Sequence, residues 1–94
     1  MYYYVYLLIT TKANKNITYV GYTKDLKKRL EKHNSSKGAK FTRGRLWKMI
    51  YKERYGSKSD AIKAEYKLKK NYLLRKKIKS KFLNERKNYN NSPF

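Results

Sequence analysis

The chain has 94 residues and a formal net charge of +20, from 26 lysines and arginines against 6 aspartates and glutamates. This length predicts one small domain, and the charge predicts a polyanionic partner, with nucleic acid favoured over an anionic membrane surface. A codon bias toward lysine is an alternative source for part of the excess. The absence of cysteine excludes disulfides, cysteine-type zinc sites and a thiol nucleophile. No apolar run approaches a membrane span, so we expect a cytoplasmic, nucleoid-associated or nuclear protein.

Two segments near the N-terminus have the composition of β-strands. Residues 2–10 are rich in Tyr, Val, Leu and Ile and predict a strand covered on both faces. The polar residues 11–16 predict a turn, and residues 17–23 predict a second strand. A short polar loop between two strands predicts an antiparallel hairpin. Gly21 inside the second strand predicts close approach by a backbone, a side chain or a ligand.

The middle of the chain predicts a helix, a basic loop and a third strand. Asp25 is a candidate N-cap for a helix over residues 26–34. In that helix Arg29 lies beside the seam of leucines that would face the core. Residues 35–45 form a cationic loop with two glycines, and residues 46–55 predict a third strand.

The C-terminal part predicts two helices and a tail. Ser57 followed by Asp60 resembles a capping box and predicts a helix through Lys70. A last amphipathic helix follows Asn71. Residues 84–94 are predicted to be a disordered or frayed tail, so the folded domain would span residues 1–83.

The few acidic residues limit the chemistry that the chain can perform. They are scattered and form no Asp-x-Asp or Glu-x-x-His pattern: Asp25, Glu31, Glu53, Asp60, Glu65 and Glu85. Two-metal nucleases need several converging carboxylates, and a single histidine excludes a paired-histidine metal site. No Walker-type loop, dinucleotide-binding loop or nucleophile elbow is present. A single-carboxylate metal site assisted by Tyr, Arg and His remains.

An ordered set of residues resembles the signature of the GIY-YIG nucleases over residues 4–79. Its members are Tyr4-Val5-Tyr6, Tyr19-Val20-Gly21, Arg29, His33-Asn34, the loop of residues 38–45 and Glu65. Tyr4 stands where the family has glycine, and Lys76-Lys77-Ile78 occupies a region where many relatives have asparagine.

The resemblance implies a mixed α/β (α+β) fold, with a small three-stranded antiparallel sheet flanked by helices. It also implies a metal-dependent DNA endonuclease in which Glu65 is the only protein ligand of one Mg²⁺ or Mn²⁺ ion. Arg29 would contact the scissile phosphate, and Tyr6 and Tyr19 would position or deprotonate the attacking water, with His33 assisting. A neighbouring arginine and a metal are expected to favour the tyrosine phenolate.

The same resemblance suggests cleavage of branched or flap DNA in repair or recombination. Specificity would come from DNA shape or from a partner protein, so we expect weak sequence preference. The residues expected to contact DNA are Lys24, Lys28, Lys37, Lys40, Thr42, Arg43 and Arg45.

Each of these residues also has a purely structural interpretation. Tyr6 and Tyr19 are alternatively cross-strand packing partners, and Glu65 is alternatively paired with Lys69 one helical turn away. His33 is alternatively stabilised by the dipole at the end of its helix. Arg29 is alternatively a solvated helix residue, and the basic loop an ordinary flexible one. A non-catalytic nucleic-acid-binding module is therefore the alternative function.

Overall fold

The computed structural model describes residues 1–11 and 16–90, with side chains as far as residue 85. The described elements are, in chain order, β1 (Tyr3–Thr10), β2 (Ile17–Thr23), α1 (Leu26–Asn34), a short 3-10 helix (Lys40–Thr42), β3 (Lys48–Tyr55), α2 (Lys58–Lys70) and α3 (Tyr72–Asn90). The strands form one antiparallel sheet in the order β2-β1-β3. This confirms the predicted α+β fold with a three-stranded sheet.

The central strand β1 is buried on both faces because helices cover the sheet on both sides. On one face Val5 and Leu7 pack with Ala61 and Leu68 of α2. On the other face the alternating residues Tyr6 and Leu8 pack with Trp47 and with leucines of α1. The period of two along β1 therefore directs Tyr6 toward α1.

Two predicted helix starts are confirmed by their capping hydrogen bonds. The carboxylate of Asp25 accepts a hydrogen bond from the backbone N–H of Lys28 at 3.1 Å. The hydroxyl of Ser57 accepts one from the backbone N–H of Asp60 at 3.1 Å. Such caps satisfy N–H groups that have no partner in the first helical turn.

The third strand begins at Lys48, later than the predicted residue 46. The side chain of Asn34 occupies both backbone groups of Trp47. Its amide oxygen accepts from the Trp47 N–H at 2.6 Å, and its amide nitrogen donates to the Trp47 carbonyl at 3.2 Å. The Trp47 N–H is therefore not available to pair with β1.

The last helix is longer than the sequence pattern suggests. Helix α3 continues through Asn90, so residues 84–90 are helical rather than a frayed tail. The segment contains no glycine or proline before Pro93, so nothing in it breaks the helix. Residues 91–94, and residues 12–15 of the predicted turn, lie outside the described residues. In the described ranges no helix combines the length and apolar character needed to cross a membrane.

Candidate active site

Tyr6 lies on the α1 side of the sheet, directly opposite Gly21 of β2. Its phenol ring extends over this glycine, and a Cβ at position 21 would collide with the Tyr6 hydroxyl. The structure thus confirms the close approach predicted for Gly21, and the approaching group is a tyrosine side chain. Because glycine has no Cβ, position 21 leaves space for the Tyr6 hydroxyl.

The imidazole of His33 is completely buried between two hydroxyl groups. Nε2 lies 2.9 Å from the Tyr6 hydroxyl, and Nδ1 lies 2.8 Å from the Thr42 hydroxyl. The Thr42 hydroxyl donates its one proton to the carbonyl of Ala39 at 2.8 Å. It must therefore accept from Nδ1–H, which leaves Nε2 of the neutral ring as the acceptor of the Tyr6 proton.

Arg29 joins the same chain of hydrogen bonds from the solvent side. Its Nε–H donates to the Tyr6 hydroxyl oxygen at 3.4 Å, and its side chain is only partly buried. It forms no ion pair within the described part of the chain. Its terminal guanidinium nitrogens therefore remain available to an anion such as a phosphate.

Burial and charge set the protonation states of Tyr6 and His33 at neutral pH. Burial, with a smaller contribution from the Arg29 charge, lowers the pKa of His33 from 6.5 to about 4. Burial also raises the pKa of Tyr6, and this effect outweighs the opposing influence of Arg29. Arg29 favours the Tyr6 phenolate as expected, but desolvation dominates in the free protein and the net pKa is raised. Tyr6 is protonated and His33 is neutral.

Aromatic side chains enclose the imidazole from the other directions. The ring of Tyr19 packs edge-on against His33, with centroids 5.2 Å apart. Phe41 in turn stacks on Tyr19 at 6.1 Å. Gly38 lies against the imidazole, since a Cβ there would be 2.5 Å from Nδ1. Tyr6, Tyr19, Arg29 and His33 therefore form one cluster, as the sequence predicts.

Glu65 approaches this cluster from α2. Its side chain is 17% exposed, and its carboxylate pairs with Lys69 at 3.2 Å, which is the alternative interaction expected for this residue. Its charge nevertheless acts on Tyr6 and contributes to the raised pKa of that residue. No group of three or more potential metal ligands occurs among the residues with described side chains. A single carboxylate fits Mg²⁺, which retains several waters and often binds proteins through one or two carboxylates.

The residues expected to bind DNA fall into three groups by exposure. Lys24, Lys28, Lys37, Lys40 and Arg43 are exposed. Thr42 is wrongly included in the expected set, because its side chain is fully buried against His33 and cannot reach a phosphate. Arg45 is half-buried, with its guanidinium 5.1 Å from the centre of the Phe41 ring.

Three residues that the sequence analysis names for other reasons build this site. Thr42 fixes the imidazole, Gly38 makes room for it, and Asn34 fixes the loop to Trp47. The indole N–H of Trp47 also donates to the Thr42 carbonyl at 3.0 Å. The available signal is the glycine in a basic loop directly after a helix that ends in His-Asn, but the partners only become evident in three dimensions.

The chain is similar to several known proteins. A family model described as the GIY-YIG catalytic domain matches residues 2–88. A UPF0213 protein of Staphylococcus epidermidis is 42% identical over 77 residues, which cover 81% of this chain and 89% of that protein. A UPF0213 protein of Streptococcus pneumoniae is 41% identical over 88 residues, which cover 93% of this chain and 83% of that protein.

One solved structure is also similar. The solution NMR structure of a UPF0213 protein from Bacillus halodurans is 38% identical, covers 82% of this chain and 80% of its own, and has a TM-score of 0.46. GIY-YIG nucleases generally use a divalent metal ion and act on DNA. The extent of the family match and the identity to these relatives show that this chain belongs to the GIY-YIG family of nucleases.

Proposed function

We propose that this protein is a metal-dependent DNA endonuclease that uses Tyr6, Tyr19, Arg29, His33 and Glu65. The observation that carries the proposal is the hydrogen-bonded chain from Arg29 through Tyr6 to His33, beside a lone carboxylate. Cross-strand packing alone gives no reason to bury a neutral histidine between two hydroxyl groups. A histidine that holds the water-activating Tyr6 hydroxyl in one orientation explains this arrangement.

Arg29 binds the scissile phosphate in this proposal. Its Nε is already directed at Tyr6, so the planar guanidinium is held with its remaining donors free. Arginine is always charged and can form two parallel hydrogen bonds to a phosphate. Contact through these donors would place the phosphorus next to the Tyr6 hydroxyl and would stabilise the charge that develops on the phosphate oxygens.

Tyr6 and His33 together take the proton of the attacking water. As the water oxygen attacks phosphorus and a P–O ester bond breaks, the water proton moves to the Tyr6 oxygen. The original Tyr6 proton moves to His33 Nε2, which already accepts it as a hydrogen bond. The leaving oxygen takes a proton from solvent. The low pKa of His33 opposes this transfer in the free protein, and the negative charge of bound DNA would raise that pKa.

Glu65 is the residue proposed to hold Mg²⁺ or Mn²⁺. A bound divalent ion would supply positive charge to the phosphate and the leaving oxygen. The competing pair with Lys69 is a weak obstacle, because the Lys69 side chain is half exposed and can turn away into solvent. Tyr19 supports the site by packing against His33.

The proposed substrate is branched or flap DNA, as in repair or recombination, with a partner protein adding specificity. The exposed basic residues around α1 and its following loop would contact phosphates: Lys24, Lys28, Lys37, Lys40 and Arg43. Phosphate contacts position a protein on DNA without reading the sequence. This surface therefore supports recognition by shape and a weak sequence preference.

A cleavage panel tests the proposed function. Branched, flap and plain duplex DNA would be incubated with Mg²⁺ or Mn²⁺ and with wild type, Arg29→Ala or Glu65→Ala protein. We expect metal-dependent cleavage by wild type and none detectable by either variant. Tight, salt-sensitive DNA binding without turnover on any substrate would favour a non-catalytic binding module instead.

A further inference from the structure

Helices α2 and α3 carry a large excess of positive charge that the proposed catalytic site does not use. Residues 58–85 contain ten lysines and arginines against three acidic residues. The basic helix face is defined by six exposed lysines on these helices that form no ion pair with the described side chains: Lys63, Lys67, Lys70, Lys76, Lys77 and Lys81.

The lysines of the basic helix face repel one another because of their spacing. Lys63 and Lys67 lie four residues apart on α2, and Lys77 and Lys81 lie four residues apart on α3. Side chains at this spacing are neighbours on one side of a helix, and like charges there destabilise it. The ion pair that α2 does form uses Lys69, outside this set. A bound polyanion would supply the counter-charge that the free protein lacks on this face.

Two exposed tyrosines lie among these cations. Tyr66 is 58% exposed and Tyr72 is 62% exposed. The Lys70 ammonium lies 4.4 Å from the centre of the Tyr66 ring, and the Arg75 guanidinium lies 5.9 Å from that of Tyr72. Lysine, arginine and tyrosine side chains all donate hydrogen bonds to phosphate oxygens in protein–DNA complexes. The combination therefore suits the phosphate backbone of DNA.

The solvent side of α3 fits a phosphate backbone better than a membrane surface. Its exposed stripe alternates lysines with short polar residues, since Lys76 and Lys77 are followed by Ser80, Lys81 and Asn84. A helix that lies in a membrane interface presents large apolar side chains opposite its basic ones. The apolar side of α3 is instead directed at the protein core through Ile78.

The basic helix face and the catalytic cluster lie on opposite sides of the sheet. Leu68 of α2 and Ile78 of α3 pack on the side that carries Val5 and Leu7, whereas Tyr6 is directed to the side of α1. The domain measures 46 × 27 × 24 Å, and duplex DNA is stiff over about 150 base pairs. One short duplex therefore cannot bend around the domain to contact both sides.

We propose that the basic helix face binds a second duplex arm of DNA while the catalytic cluster and the basic residues around α1 bind the first. The inference rests on the proposed function in taking DNA as the partner, and it attributes selectivity for branched DNA to simultaneous contacts on two sides of one domain. A branch point holds two arms together, so the second contact forms at a high effective concentration. A linear duplex occupies one side at a time.

The test compares the affinity for a four-arm DNA junction with that for a linear duplex of the same number of base pairs, in EDTA so that no cleavage occurs. Wild type should bind the junction at least about tenfold more tightly. A triple variant with Lys76→Gln, Lys77→Gln and Lys81→Gln should bind both DNAs equally. Its binding to the junction should also release about three fewer counterions, which is measured from the salt dependence. Glutamine and lysine have similar helix propensities, so thermal unfolding should be unchanged.

A matched triple variant removes the same charge from exposed lysines outside both contact surfaces: Lys27→Gln, Lys32→Gln and Lys52→Gln. It should weaken binding to both DNAs by a similar factor and keep the preference for the junction. Equal affinity of wild type for the two DNAs would overturn the proposal. A junction preference that survives in the α3 triple variant would also overturn it, because the face would then be only a solvated one.

Vesicles that contain phosphatidylserine test the alternative polyanionic surface. Wild-type binding to these vesicles that is lost in the α3 triple variant, together with an unchanged junction preference, would assign the face to a membrane and overturn the proposal. Absence of cleavage in the metal-containing panel would contradict the nuclease, whereas the affinities in EDTA report on the second binding face alone.

Discussion

The Tyr6 hydroxyl donates a hydrogen bond to Nε2 of a His33 ring that is fully buried and uncharged at neutral pH. The direction of this bond follows from the far side of the ring, where the Thr42 hydroxyl is committed to the Ala39 carbonyl. A tyrosine that could have been a packing residue is thereby fixed in one orientation, next to a proton acceptor and to Arg29.

Tyr6→Phe should abolish most cleavage while leaving DNA binding intact. The substitution removes the hydroxyl that receives the water proton, and loss of one general acid–base group costs about 100-fold or more in rate. It also leaves Nε2 unpaired, which should lower the free energy of unfolding by about 1–3 kcal/mol. Single-turnover cleavage and denaturant unfolding measure the two effects. Tyr66→Phe on the exposed side of α2 is the matched control and should change neither.

Replacing Thr42 should separate orientation of the imidazole from its mere presence. Thr42→Val leaves the Nδ1–H without an acceptor, so the ring can adopt the other tautomer and stop accepting from Tyr6. We expect a cleavage rate at least about tenfold lower and a stability loss of about 1–3 kcal/mol. Thr42→Ser keeps the hydroxyl and should restore most of the rate. Equal activity of the valine and serine variants would contradict the assigned role.

Two glycines that border the chain of hydrogen bonds should not tolerate alanine. A Cβ at Gly21 collides with the Tyr6 hydroxyl, and one at Gly38 lies 2.5 Å from His33 Nδ1. Overpacking of this kind destabilises by about 1–3 kcal/mol, and both variants should also lose cleavage activity. Gly56→Ala is the control, because nothing lies within 4 Å of its added Cβ. Thermal unfolding of the three variants should show a loss for the first two alone.

His33 should make folding stability dependent on pH between 6.5 and about 4. In this window the unfolded chain binds a proton at His33 and the folded chain does not, so stability rises with pH. Acidification through this range should therefore remove up to about 3 kcal/mol of stability. Denaturant titrations of wild type and His33→Gln at several pH values measure the effect. The variant should show a shallower dependence, and identical slopes would mean that His33 is not buried in neutral form.

The elements that could be predicted from sequence are those with local determinants. Asp25 and Ser57 start their helices through hydrogen bonds to residues three positions away, so a short motif specifies them. Gly21 indicates a close approach because a glycine inside a strand often marks a site where another group comes near the backbone. The cluster of Tyr6, Tyr19, Arg29 and His33 follows from spacing that matches a known signature.

The parts that sequence could not supply depend on contacts between distant residues. The start of β3 is decided by Asn34, which takes the backbone groups of a residue 13 positions away. Thr42 resembles a phosphate-binding residue within a basic loop, yet the fold buries it against His33. The pKa of Tyr6 rises rather than falls because burial outweighs Arg29, and the depth of burial is not visible in a sequence.

The most direct measurement of the central claim is single-turnover cleavage of flap DNA by Glu65→Gln in the presence of Mg²⁺ or Mn²⁺. The change keeps the size of the side chain and removes the charge, so DNA affinity should stay the same or rise slightly. Glu31→Gln on the exposed face of α1 is the matched control and should cleave like wild type. We predict that Glu65→Gln is slower by at least about 100-fold, as expected for loss of a charge-stabilising group. Cleavage by Glu65→Gln at the wild-type rate would contradict the account.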